Sequence, residues 1–192
     1  MRIPRKHILA VLVAAALSAD AAGAAGAAAR FTFARPAAPE STVDPKTGRL
    51  DLVIDRWATD AERDQVLAAL AADGPEHLLD AFRTVARVGT LHWPGGLEYT
   101  VRYARQAPRA DGGSDVVLVV DRPVWTWWDA TASSPTGQYT VVHLRLGKGG
   151  TGEGRISRDA QVRRDDTLGV SLADGAQAPV MLTDVRREQS ST

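Results

Sequence analysis

The chain has 192 residues, with 23 Lys and Arg against 23 Asp and Glu, and no cysteine. The missing cysteine excludes disulfides, thiol catalysis and thiolate metal sites. The balanced charge argues against nucleic acid or an anionic membrane as a bulk electrostatic partner.

The first residues have the layout of a secretory signal peptide. Arg2, Arg5 and Lys6 make a basic start, and Ile8 to Leu17 is an uncharged apolar run. Three small-x-small sites follow, Ala19-Asp20-Ala21, Ala22-Gly23-Ala24 and Ala25-Gly26-Ala27. An apolar run of about ten residues is short for a helix that must cross roughly 30 Å of hydrocarbon. The expectation is export to the periplasm or medium, with residues 1–27 removed and no membrane span left. The leader carries Arg2, Arg5 and Lys6 against Asp20, a net +2, which puts the remainder near −2. Asparagine is absent and lysine occurs only at Lys6, Lys46 and Lys148. That composition fits a GC-rich bacterial genome, so the many arginines carry little functional meaning by themselves.

Residues 28–47, rich in Ala, Pro and Thr, read as a flexible tether. A single α+β domain is expected over 48–188, with a tail at 189–192. Leu50, Leu52 and Ile54 alternate with charged residues, a strand pattern. Thr59-Asp60-Ala61-Glu62 is a capping box that opens a helix to about Ala72. Its apolar face is Val66, Leu67 and Leu70. Asp73-Gly74-Pro75 restarts the chain, since proline suits a first helical position. Leu78, Leu79, Phe82 and Val85 form the stripe of a second helix.

From Val88 the texture changes to short alternating runs. Leu97, Tyr99, Val101 and Tyr103 share one predicted face. Val116 to Val120 is continuously apolar, which suggests a strand covered on both sides. Further strands are expected over Tyr139–Leu146, 152–162, 167–173 and 179–187. Turn signals separate them at Asp111-Gly112-Gly113, Gly147 to Gly150, Asp165-Asp166 and Asp174-Gly175. Strands joined by short turns pair antiparallel. The predicted order is one strand, a short helical hairpin, then an antiparallel β-meander forming a curved sheet, half-barrel or barrel.

Gly147-Lys148-Gly149-Gly150-Thr151-Gly152 matches the glycine spacing of a dinucleotide loop. That loop must open a helix, so that amide dipoles meet the pyrophosphate. A strand follows here, and a hairpin turn is the better reading. His77, His92 and His143 show no metal-ligand spacing. No G-x-S-x-G elbow accompanies them, so no catalytic residue, metal ligand or cofactor is assigned. Arg155, Arg158, Arg163 and Arg164, around Asp159, Asp165 and Asp166, could meet an anionic ligand. A solvated strand face with ion pairs explains them better.

The aromatic residues are the best functional lead. Trp125, Trp127 and Trp128 follow the Asp121-Arg122-Pro123 break, and the polar stretch 129–138 adjoins them. Aromatic faces stack on sugar rings and flat apolar ligands and attract cations. Trp57 and Trp93 could join them. Tryptophan more usually fills a core or plugs a sheet end. The expected ligand-binding residues are Trp125, Trp127 and Trp128, in a non-catalytic binding module. Its partner would be a small molecule, a glycan or an envelope protein. Two alternatives stand beside it: an envelope-associated interaction or assembly factor, and a hydrolase with a dispersed polar site around His143.

Several segments together resemble a family of small exported bacterial proteins. They are Ile54-Asp55-Arg56-Trp57, Asp60-Ala61-Glu62-Arg63-Asp64 with Leu67-Ala68-Ala69-Leu70, Arg87-Val88-Gly89, Arg102-Tyr103-Ala104-Arg105-Gln106 and Asp121-Arg122-Pro123. The resemblance runs over most of the chain after the leader. It implies export and a shared fold, and it transfers no catalytic residue.

Overall fold

The computed structural model describes residues 29–34, 49–92, 98–124, 137–157, 162–173 and 179–188. Eight antiparallel strands close into a barrel. In chain order they are β1 (Ala29–Ala34), β2 (Arg49–Ile54), β3 (Gly89–His92), β4 (Glu98–Pro108), β5 (Ser114–Val120), β6 (Thr140–Leu146), β7 (Thr151–Ser157) and β10 (Val180–Glu188). Around the barrel the order is β1-β10-β7-β6-β5-β4-β3-β2. Strands β8 (Val162–Asp165) and β9 (Gly169–Leu172) form a separate two-stranded ribbon.

The expected tether is corrected at its start, because Ala29–Ala34 is a barrel strand. Ala29, Phe31 and Phe33 point into the core and alternate with Arg30, Thr32 and Ala34. Six residues are a short period-2 signal, and the Ala/Pro-rich sequence on either side hides it. Two strands therefore precede the helices where one was expected. The remainder of the tether, 35–48, lies outside the described residues. The expected meander is also interrupted. The chain leaves the barrel after β7 to make the ribbon, then returns as β10 beside both β7 and β1. Closure removes the unpaired edges that an open sheet would present. A bulge in β10 accompanies it, one extra residue against both β1 and β7, with Asp184 in a left-handed conformation at φ 50°. Such bulges bend a strand and let a barrel turn its corners.

Two apolar clusters face each other through the barrel wall. The inner one holds Phe31, Phe33, Leu52, Tyr99, Leu118 and Leu144 among others. Eight strands enclose a space just wide enough for side chains to fill, so this interior is a packed core. The outer cluster joins Val66, Leu78, Leu79 and Phe82 to Tyr103, Val117, Val119 and Val141 of the wall and to Leu168, Val170 and Leu172 of the ribbon region. Val116 to Val120 thus serves both clusters by alternation, which accounts for its unbroken apolar run.

Helix α1 (Asp60–Asp73) starts at the predicted capping box, with Thr59 as N-cap. Glu62 does double duty. Its carboxylate accepts from the Thr59 amide at 2.8 Å and takes both Arg56 guanidinium nitrogens at 2.9 and 2.8 Å. The Arg56 hydrogen bond holds the Glu62 carboxyl below its ordinary pKa. This bidentate pair anchors the helix start to the chain leaving β2. A 3₁₀ turn at Pro75–His77 leads into α2 (Leu78–Thr84). Val85 is corrected from the helical stripe. It is the C-cap in extended conformation and joins the inner cluster.

Tyr103 is corrected too. The β4–β5 register shifts between Val101 and Tyr103. One extra residue in a strand flips every side chain beyond it to the other face. Tyr99 and Val101 stay inside, while Tyr103 points out under α2. Its hydroxyl donates to the Leu168 carbonyl at 2.8 Å. Burial pushes the phenol pKa up, so it stays protonated as a donor. Gly169 lies beside it at φ 85°, and an added Cβ there would collide with the Tyr103 hydroxyl.

Candidate functional site

One end of the barrel carries an open cavity of about 870 Å³. Four separate pieces of chain build it. Trp57 and Ala58 follow β2. Arg105, Gln106 and Pro108 end β4, Gly112 and Gly113 belong to the β4–β5 turn, and Ser114 starts β5. Leu146 ends β6, Gly147 to Gly150 make the β6–β7 turn, and Arg187 and Glu188 end β10. Strand β1 lies between β2 and β10 and holds the last piece to the first.

Local sequence fixes each wall. In the β4–β5 turn, Asp111 Oδ1 accepts from the Gly113 amide at 2.9 Å. That bond holds the Asp111 carboxyl below its ordinary pKa. The Gly147–Gly150 segment is a hairpin turn, as expected, closed by the Gly147 amide on the Thr151 carbonyl at 2.8 Å. The Arg187 amide then donates to the Gly150 carbonyl at 2.8 Å, which docks the turn on β10. Trp57 is half-buried and packs on the inner cluster. Arg105 is committed: it donates to the Ala58 carbonyl at 3.0 Å, the Thr167 carbonyl at 3.2 Å and the Asp60 carboxylate at 2.9 Å.

Trp125, Trp127, Trp128 and Trp93 all lie outside the described residues, as does 129–136 of the adjoining loop. Val120 of β5 and Thr140 of β6, the strand ends before and after the tryptophan segment, are at the barrel end opposite the cavity. Of the five tryptophans, Trp57 is the described one, and it lines the cavity. By sequence it belongs only loosely to the aromatic group. The other lining residues carry no shared sequence signal, because only pairings distant in sequence bring residues near 57, 106, 148 and 187 together. Lys148 offered one signal, as a rare lysine inside a glycine turn.

His77 is exposed and His92 ends β3. His143 is on the outer wall, paired across strands with Val117 and Arg155. Its Nε2 is buried without a hydrogen bond, 3.7 Å from the nearest Asp115 carboxylate oxygen. That separation is longer than a hydrogen bond, so Asp115 does not orient the imidazole by one. Burial lowers its pKa, with Asp115 and Asp165 pulling upward and Arg155 and Arg145 adding to the fall. A buried imidazole of this kind favours the neutral form. Stability should then be full above about pH 6.5, the unfolded value. It should fall as pH drops toward the lowered folded value, since the unfolded chain takes the proton first. Denaturant melts of wild type and His143→Gln across this window check the point: their stability difference should change only below about pH 6.5. A constant difference would contradict it.

Two arginines of the basic stretch have local partners. Arg164 pairs with Asp166 at 2.7 Å, and Arg163 donates to Ser171 at 3.1 Å. Arg158 and Asp159 lie outside the described residues. The segments around Arg56, Arg87, Arg102 and Arg105 hold ion pairs: Arg56–Glu62, Arg87–Asp55, Arg102–Asp121 and Arg105–Asp60. They also supply Trp57, Arg105 and Gln106 to the cavity. Among the described residues no helix is long and apolar enough to cross a membrane, and no group of His, Asp or Glu could hold a metal. No family model matches this chain, and neither does any curated protein or solved structure.

Proposed function

We propose that this protein is an exported, non-catalytic binding module that receives a small ligand at the Trp57-edged barrel mouth. The cavity there carries the reading: a packed barrel, open at one end onto an aromatic side chain, polar donors and glycine turns. Rigid strands holding binding loops are a common way to present a site. Export rests on the basic start, short apolar run and small-residue sites of residues 1–27. A cut at any of those sites leaves β1 on the chain. Trp125, Trp127 and Trp128 belong to the proposal as a second aromatic surface. An assembly factor would favour an exposed apolar patch. Met181 is the large apolar side chain that is exposed among the described residues, which favours a ligand site over a protein-binding face.

The test is an occluded mouth. Gly149 faces open space, with nothing within 4 Å of a Cβ added there. Gly149→Trp should fold normally and fill the opening. Anilinonaphthalene sulfonate, a fluorescent aromatic anion, should bind wild type saturably, one to one, and bind Gly149→Trp far more weakly. Absent binding, or binding that ignores Gly149→Trp, would contradict the proposal.

A further inference from the structure

Among the described residues, the mouth holds two cations with no acid committed to them. Lys148 has no ion pair or hydrogen bond among the described residues. Its stem is nevertheless placed. Gly112, in left-handed conformation at φ 79°, leaves the room that the Lys148 Cγ, Cδ and Cε occupy, and a Cβ at 112 would strike them. The β4–β5 turn thus cradles the lysine of the β6–β7 turn. Arg187 has Gln106 Oε1 at 3.4 Å and the face of Phe31 at 5.8 Å, and no carboxylate among the described residues. Glu188, beside it, pairs instead with Arg30 at 3.4 Å. Arg105 differs, its charge being matched by Asp60. Two unmatched cations on a concave wall focus a positive potential in a protein that is close to neutral overall.

We propose that this mouth binds a small ligand that joins an oxyanion to a flat ring. The oxyanion engages Lys148 and Arg187, and the ring packs on Trp57. An ammonium on a flexible stem and a planar guanidinium are the usual pair for phosphate and carboxylate oxygens. An indole supplies apolar area to an aromatic or sugar ring. The inference rests on the binding reading above and adds the ligand's class.

Amide-shift titrations of the protein test it, read at Gly112, Gly147, Gly149 and Gly150. Phenyl phosphate should shift these amides saturably, and benzyl alcohol, the neutral ring, about tenfold more weakly. Lys148→Ala and Arg187→Ala should each weaken phenyl phosphate about fivefold or more, as expected for charge-assisted bonds at a partly exposed site. Lys148 is exposed in a turn, so Lys148→Ala keeps the test valid should Arg187→Ala misfold. Added salt should weaken phenyl phosphate and leave benzyl alcohol unchanged. Benzoate separates the sources: phenyl phosphate well ahead of it assigns a phosphate ester, and parity assigns oxyanions generally. Benzyl alcohol as tight as phenyl phosphate, or Lys148→Ala binding like wild type, would overturn the inference. If the dye still binds and Gly149→Trp still blocks it, only the ligand class has failed. If neither dye nor probes touch these amides, the binding reading has failed with it.

Discussion

Phe82→Ala is expected to cost about 3–5 kcal/mol in chemical denaturation, the usual penalty for emptying a buried aromatic site. Phe82 is fully buried at the centre of the outer cluster. Its ring contacts Tyr103 at 5.8 Å and Tyr139 at 5.6 Å, the second edge-on. Both tyrosines reach onward, Tyr103 to the Leu168 carbonyl and Tyr139 to the Pro75 carbonyl. The alanine leaves a void between wall, helices and ribbon, and rigid strands cannot collapse into it. A loss under about 0.5 kcal/mol, the range of ordinary surface changes, would mean Phe82 does not occupy this centre.

Removing residues 29–34 should have a still larger effect. Phe31 and Phe33 are wholly buried in the inner cluster. Emptying both sites costs roughly 3–5 kcal/mol apiece, against about 5–15 kcal/mol of total stability. The cut would also open the edges of β2 and β10, each an unpaired template for aggregation. The shortened chain should lose its cooperative melt and aggregate, whereas Phe33→Ala alone should fold with a lowered midpoint. A soluble, cooperatively melting protein without residues 29–34 would show that β1 is dispensable.

Much of the fold is legible wherever one local rule acts alone. Thr59 and Glu62 specify the start of α1 through two reciprocal hydrogen bonds. Val116 to Val120 announces a strand between two cores. The glycine turns at 111–113 and 147–150 follow from their chemistry. What is not legible depends on contacts distant in sequence. Nothing near Tyr103 signals the register shift that turns it outward. Phe31 and Phe33 look like part of a linker until β2 and β10 are seen on either side. The mouth is hidden for the same reason: Trp57, Lys148 and Arg187 line one cavity through strand pairings distant in sequence. The tryptophan cluster stood out by composition. The cavity instead gathers residues that are individually ordinary.

Closure underlies the mouth, since β1 joins the strand before Trp57 to the strand that carries Arg187. Amide hydrogen exchange on the intact protein measures it directly. Arg30, Phe31 and Thr32 pair with Glu188, Arg187 and Arg186 on one side and with Val53, Leu52 and Asp51 on the other. A strand bonded on both sides in a cooperative barrel should exchange as slowly as central β5 and β6. Protection of β1 comparable to that of Val117–Val119 is the predicted result. Exchange of the β1 amides at the rate of a frayed terminus, with β5 and β6 still protected, would mean an open sheet and no assembled mouth.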